Sequence, residues 1–207
     1  MKDSNDSLKA PLIGGHAAID FLNTSFTPEH EAIETIGDAR SFLKWLIASG
    51  LIDESAATRL MKRSGPKALE SAAAEARKIR EWTREWLGRW RAKPRMAYAD
   101  ELAYLNKLLA RGVSTHEVTS TEEGLALLER PGLDSPEDLV ALIALQVATL
   151  ITQENPELIK SCAGENCSLW FVDRTKAHRR LFCSAAACGN RAKVAAFRQR
   201  QKSETPS

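Results

Sequence analysis

The stretch Cys162-Ala163-Gly164-Glu165-Asn166-Cys167, followed by Cys183-Ser184-Ala185-Ala186-Ala187-Cys188-Gly189-Asn190-Arg191, decides how this chain is read. It contains all four cysteines of the 207-residue sequence. Each pair encloses four residues, and fifteen residues separate the pairs. Two thiolate pairs joined by a short loop can fold back and set four sulfurs tetrahedrally around zinc. In a reducing compartment that reading outranks disulfides. An iron–sulfur cluster also takes four thiolates, but its familiar spacings differ, and a redox pair usually has only two residues between its cysteines. Disulfides, a cluster and unrelated buried thiols remain the alternatives. A catalytic zinc keeps an open position beside three protein ligands, and four thiolates leave none. The expected cofactor is therefore one structural Zn2+ on Cys162, Cys167, Cys183 and Cys188, with no chemistry at the metal.

Around the cysteines there is little to bury. The apolar residues of this short segment are mainly Leu169, Trp170, Phe171, Val172, Leu181, Phe182, Val194 and Phe197. Domains of about 45 residues usually need a staple, which the metal supplies. Leu169–Val172 reads as a strand, and the second cysteine pair sits at the start of a last helix from about Ala187 to Lys202, in a treble-clef-like arrangement. Val194 and Phe197 fall near each other on that helix and could pack on the module.

The charge of this end is one-sided. Lys160 to Ser207 holds ten Lys/Arg and three Asp/Glu, +7, against −5 for everything before it, within an overall +2. Arg191, Arg198 and Lys202 share one helical stripe, and Lys193 and Arg200 share another. Arg179 and Arg180 precede the second cysteine pair and extend the basic surface. Such a surface suits phosphate contacts, and Asn190 could reach base edges. The plain alternative is a solvated helix. An anionic membrane surface fits less well, because no strong apolar face accompanies the charge.

Working outward toward the N-terminus, the pattern is helical. Gly14-Gly15 opens a short helix over His16–Thr24. Asp38 caps a helix carrying Phe42, Leu43, Leu46 and Ile47, which Gly50 ends. Asp53 caps a second that stops near Ser64-Gly65. Pro66 starts a long third, with Leu69, Ala72, Ala73, Ala76, Ile79, Trp86, Leu87 and Trp90 inward, broken at Lys93-Pro94. A fourth runs from Tyr98 to Leu109, with Leu102, Leu105 and Leu109 inward. Ser114–Ser120 and Gly124–Arg130 read as a β-hairpin turning at Thr121-Glu122-Glu123. Ser135 caps a helix from Pro136 to Thr152, apolar nearly all round and therefore central. The fold class is mainly α: a helical domain with a hairpin over 11–156, then the zinc module over 157–202. Residues 1–10 and 203–207 are expected to be disordered.

With 43% hydrophobic and 27% charged residues, the composition is that of a soluble protein. The polar start MKDSNDSLKAPL lacks a signal peptide's apolar stretch, and Asp138–Thr152 is too short to span a bilayer. The expected location is the cytoplasm, without membrane attachment.

The string Cys188-Gly189-Asn190-Arg191 closing a four-cysteine module resembles the CGNR zinc finger family. Trp170-Phe171-Val172-Asp173, Arg179-Arg180, Cys183-Ser184 and Lys193 agree with it. Phe182 stands where members usually have Trp, and Ala185 where many have Met. Gly15-His16-Ala17-Ala18-Ile19-Asp20-Phe21-Leu22-Asn23-Thr24 resembles the opening of the ABATE domain, the family's usual partner, and Trp45-Leu46 before Gly50-Leu51 agrees as well. The resemblance implies a stress-linked bacterial transcription regulator whose finger meets nucleic acid, duplex DNA before RNA. The alternative is a zinc-shaped protein-docking module. A homodimer through the first domain would place two fingers on one duplex.

Other features carry bland readings. His16, Asp20 and Asn23 form a possible ligand pocket, although Asp and Asn near helix ends are more often caps. Trp82, Trp86 and Trp90 read as a core stripe or dimer seam before a base-stacking surface. His178 is a poor competitor for a metal whose tetrahedron is full, and His30 and His116 read as surface residues. No nucleophile–base pair, phosphate-cradling glycine loop or paired-carboxylate motif stands out, so no enzyme is expected.

Overall fold

The computed structural model describes residues 10–28 and 31–204, apart from the side chains of Arg130, Lys202, Ser203 and Glu204. Residues 1–9, 205–207 and His30, for which disorder or surface exposure was expected, lie outside the described residues; residues 203 and 204 continue the last helix. The elements are α1 (Ala17–Leu22), β1 (Ser25–Phe26), β2 (Ile33–Glu34), α2 (Ala39–Ala48), α3 (Glu54–Arg63), α4 (Pro66–Ala92), α5 (Ala99–Leu109), β3 (Ser114–Thr121), β4 (Gly124–Pro131), α6 (Pro136–Gln153), β5 (Ile159–Ser161), β6 (Trp170–Val172) and α7 (Asn190–Glu204). They form two compact units, Ile36–Gln153 and Met1–Thr35 with Glu154–Ser207.

Ile36–Gln153 is a helical unit whose boundaries follow from capping. Asp38 Oδ1 accepts the Ser41 N–H at 2.7 Å, and Ser41 Oγ accepts the Asp38 N–H at 3.1 Å, a reciprocal capping box. At the other end of α2, Leu51 N–H reaches Leu46 O and Gly50 N–H reaches Ile47 O, both at 3.0 Å. This is a Schellman stop, and Gly50 supplies its left-handed residue at φ +73°. Asp53 Oδ1 accepts Ala56 N–H at 2.6 Å and starts α3. Pro66 occupies the first turn of α4, where its missing N–H is not needed. In α6, Asp138 Oδ2 turns back to accept the Ser135 N–H at 2.8 Å.

Helix α6 packs against both α4 and α5, and α2 packs on α4. Leu139, Val140, Leu142, Ile143, Ala144, Val147 and Leu150 are buried, so α6 is the unit's central helix. Burial of each large one contributes about 1.5–3 kcal/mol. Its wall is not apolar-buried all round, because Leu145 faces solvent. Trp86 is buried; Trp82 packs tilted against it at 5.1 Å and meets Tyr104 edge-on at 4.8 Å, so these two tryptophans join the packing of the unit, and Trp90 is partly buried. Helix α5 turns differently from the expectation: Leu105 and Leu108 are buried, while Leu102 is 44% exposed. Eight-residue strands β3 and β4 pair in register from Ser114↔Pro131 to Thr121↔Gly124, so the turn is the two residues Glu122-Glu123.

In the other unit the chain start and the cysteine module share one core. Phe26, Leu169, Phe171, Cys162, Cys183 and Cys188 are its buried members, with Ile13, Ile33 and Phe182 packed against them. The expected core is corrected here. Leu181, Val194 and Phe197 are exposed, and Ile13, Phe26 and Ile33 take the positions the module cannot fill from its own sequence. Backbone bonds join the same pieces. Val172 N–H donates to Gly14 O at 2.7 Å, and Thr27 N–H donates to Ser168 Oγ at 2.8 Å. Strands β5 and β6 pair antiparallel with Lys160 opposite Phe171.

Candidate metal centre

The four cysteine sulfurs converge within 4.8 Å of one another. Cys167 and Cys183 Sγ are 3.8 Å apart, and Cys183 and Cys188 Sγ 3.5 Å. A zinc–sulfur bond of about 2.3 Å fixes the edge of a regular S4 tetrahedron near 3.8 Å, so the donor set fits the ion. None of the four is in a disulfide.

Each pair is set by a local turn. Cys167 N–H donates to Gly164 O at 3.1 Å, and Asn166 is held at φ +62°. A Cβ on Gly164 would lie 3.1 Å from both Cβ and Sγ of Cys188, so a larger residue would push the pairs apart. The second pair is bridged by a tight turn over Ala185–Gly189, capped by Ser184 Oγ accepting the Ala187 N–H at 3.3 Å, which runs directly into α7. The cysteines thus hold the root of α7.

The sulfurs also receive donors. Gly164 and Cys183 N–H point at Cys162 Sγ at 3.3 and 3.2 Å, and an Arg191 guanidinium nitrogen lies 3.1 Å from Cys188 Sγ. Burial pushes the Cys167 thiol up to about 11 and Cys183 higher still. Burial acts on Cys188 in the same sense, but the Arg191 hydrogen bond and the neighbouring thiols carry it below its ordinary value. Four crowded thiols cannot all ionise without a compensating cation. A divalent ion supplies that charge and displaces the protons.

A second polar knot braces the loop between the pairs. Asp173 is fully buried and accepts Lys160 Nζ at 2.7 Å, Thr175 Oγ1 at 2.6 Å, Thr175 N–H at 3.0 Å and Arg180 N–H at 2.8 Å. Burial opposes its charge, yet these donors hold the carboxyl well below the usual carboxylate range. The Arg180 guanidinium donates to the Phe182 and Cys183 carbonyls and lies 4.0 Å over the Phe171 ring. The structure therefore places Arg180 inside the loop's own framework. His178 turns the loop at φ +51° and is outside the sulfur cluster.

Arg179 is exposed in that loop, and Asn190, Arg191, Lys193, Arg198 and Arg200 are exposed along α7; Lys202 continues the helix with its side chain outside the described residues. His16, Asp20 and Asn23 each hold backbone groups of this unit. His16 Nδ1 accepts the Ala18 N–H at 3.1 Å as the α1 cap, and Asp20 Oδ1 accepts Gly14 N–H at 2.7 Å. Asn23 is 0% exposed; its Nδ2 donates to Trp170 O and its Oδ1 accepts Trp170 N–H, both at 2.9 Å. Its carboxamide thus imitates a neighbouring strand. Asn23, Asp173 and Phe26 are the supports of the site that the sequence reading missed. The partner of Asn23 lies 147 residues away, and the donors to Asp173 meet it only when the loop closes.

Residues 159–201 match the family model of the CGNR zinc finger, and residues 15–154 match that of ABATE, described as "Putative stress-induced transcription regulator". The chain belongs to the ABATE family. Its metal centre is the CGNR-type site, with one structural zinc on the four cysteines. Both families are regulator and finger families, not enzyme families. No protein of curated function matches the chain. Packing cuts the ABATE segment differently from the family boundary: its first part, through Thr35, lies in the compact unit that carries the finger. Among the described residues no helix is long and apolar enough to cross a membrane.

Proposed function

We propose that this ABATE protein is a cytoplasmic transcription regulator that binds duplex DNA through its zinc-anchored last helix. The helical unit is assigned to sensing a signal or to assembly as a homodimer. One observation carries the reading: α7 is rooted on the metal centre and then stands clear, with residues 193–201 all exposed. It holds four basic residues and no acid between Asn190 and Gln201. A helix without a packed face is marginal in water, and a polyanion supplies what it lacks.

Lys193, Arg198 and Arg200 serve as phosphate contacts, with Arg179 from the preceding loop. Arg191 has a second task, because its guanidinium also steadies Cys188. Arg180 is best assigned to the framework. The exposed Leu181 and Phe197 favour a second reading, a protein-docking surface shaped by zinc.

Fluorescence anisotropy of the zinc-loaded full chain separates these readings, using duplex DNA, single-stranded DNA and RNA across 50–300 mM salt. DNA binding predicts affinity that falls steeply with salt, and a slope reduced by about 0.9 for each phosphate contact removed in the Arg198→Ala/Arg200→Ala variant. Equal binding by that variant at every salt concentration would remove the footprint. No binding to any nucleic acid would leave the docking reading.

A further inference from the structure

Helix α7 presents two exposed apolar side chains, Val194 at 48% and Phe197 at 55%, in the middle of its basic surface. An apolar pair that faces water without packing on its own module asks for an external contact. At 100° per residue, Asn190, Val194, Phe197 and Gln201 fall within an arc of about 60°. Arg191 and Arg198 flank this stripe on one side, and Lys193 and Arg200 on the other. The opposite side of the helix carries Ala192, Ala195, Ala196 and Gln199, which line a groove with Gly164 and Cys188. The stripe is thus centred on the side turned away from the metal. On the Arg191 flank, Asn190, Arg191, Val194 and Arg198 line one shallow depression with Ala186, Ala187 and Ala195 of the helix root and inner side.

We infer that the Asn190–Val194–Phe197–Gln201 stripe is a base-reading surface that enters the DNA major groove and selects A·T pairs. This rests on the DNA-binding reading above and names what that reading leaves open. The major groove, about 12 Å wide, admits one α-helix, and α7, about 22 Å long, has charge on both flanks to meet both backbones. The chemistry of the stripe matches one base pair. Asn and Gln carboxamides pair with adenine N6 and N7, and apolar side chains contact the thymine methyl. The stripe has no acid to accept from cytosine N4. The two flanks are positively charged, which complements the duplex and disfavours a second copy of this same helix as the occupant.

The test uses the zinc-loaded full chain and a randomised duplex pool, from which bound sequences are selected. The recovered duplex is then made again with uracil in place of thymine, which deletes only the methyl groups. The expected result is a site rich in A·T pairs that weakens about fourfold per contacted methyl when uracil is substituted. The Val194→Ala/Phe197→Ala variant should lose most of that uracil sensitivity while keeping its salt-dependent binding to random duplex. Asn190→Ala should weaken the selected site about 5- to 150-fold, with the random duplex little changed. Both variants alter exposed side chains, so zinc content and circular dichroism should match the parent. A double variant that binds and selects DNA like the parent overturns the inference and leaves the DNA-binding reading intact. Self-association that depends on Val194 and Phe197, without uracil sensitivity, overturns it in favour of a protein contact. Absence of any duplex binding defeats the DNA-binding reading itself.

Discussion

Asn23→Ala is the sharpest perturbation of the zinc-bearing unit that leaves every metal ligand in place. Asn23 is 0% exposed, and its carboxamide makes two 2.9 Å hydrogen bonds to the backbone N–H and C=O of Trp170 at the start of β6. Each bond contributes about 0.5–1.5 kcal/mol net, and a buried backbone group left without its partner costs about 1–3 kcal/mol. Trp170 is only half-buried, so water recovers part of the loss. The expected destabilisation is therefore about 2–3 kcal/mol. Strand β6 runs through the core that contains Cys162, Cys183 and Cys188, so folding of this unit and metal binding are coupled. The same free energy then appears as zinc affinity about 30- to 150-fold weaker, measured by competition with a chromogenic chelator. Calorimetry of the zinc-loaded chain should show the transition of this unit lowered, by roughly 8–24 °C. Zinc affinity and melting equal to the parent would refute the view that the N-terminal segment completes the finger.

Zinc affinity should rise at least about 100-fold per pH unit between pH 6 and 8, because burial holds at least Cys167, at about 11, and Cys183 protonated in the metal-free site and both protons must leave; chelator competition at several pH values checks this. Asp20 has its carboxyl pushed up by burial, so the folded state holds that proton more tightly than the unfolded chain, and stability falls as pH rises through its folded value. Asp20→Asn keeps an acceptor for Gly14 N–H and should lose that pH dependence, seen as urea midpoints no lower than the parent's at pH 7 and no advantage below pH 4. Gly50→Ala forces a Cβ into a left-handed residue at φ +73° and should cost about 1–2 kcal/mol, read from denaturant midpoints of the helical unit.

What the sequence made legible was local or repetitive. Asp38, Asp53 and Pro66 mark helix starts through side chains that act within three residues, and Gly50 marks a stop through its own φ. The cysteines were readable because metal geometry constrains their spacing. What it did not make legible depends on tertiary closure. Leu102 and Leu108 both suit a helical face, and only the packing of α5 on α6 decides between them. Val194 and Phe197 look like core residues of a small module, but Phe26 and Ile13 arrive from far away and fill that core first. Arg180 reads as one more surface charge, yet two carbonyls and the Phe171 ring capture it. Asp173 stands in the matching string without a role, and its donors Lys160 and Arg180 meet it only when the loop closes.

Native mass spectrometry of the full chain mixed with duplex DNA tests the central claim most directly, because metal and nucleic acid are weighed on the same molecule. The account predicts one zinc per chain and a DNA-bound species that carries it, with both lost together when a chelator removes the ion. A folded, metal-free chain that holds DNA as well as the zinc-loaded one would contradict it.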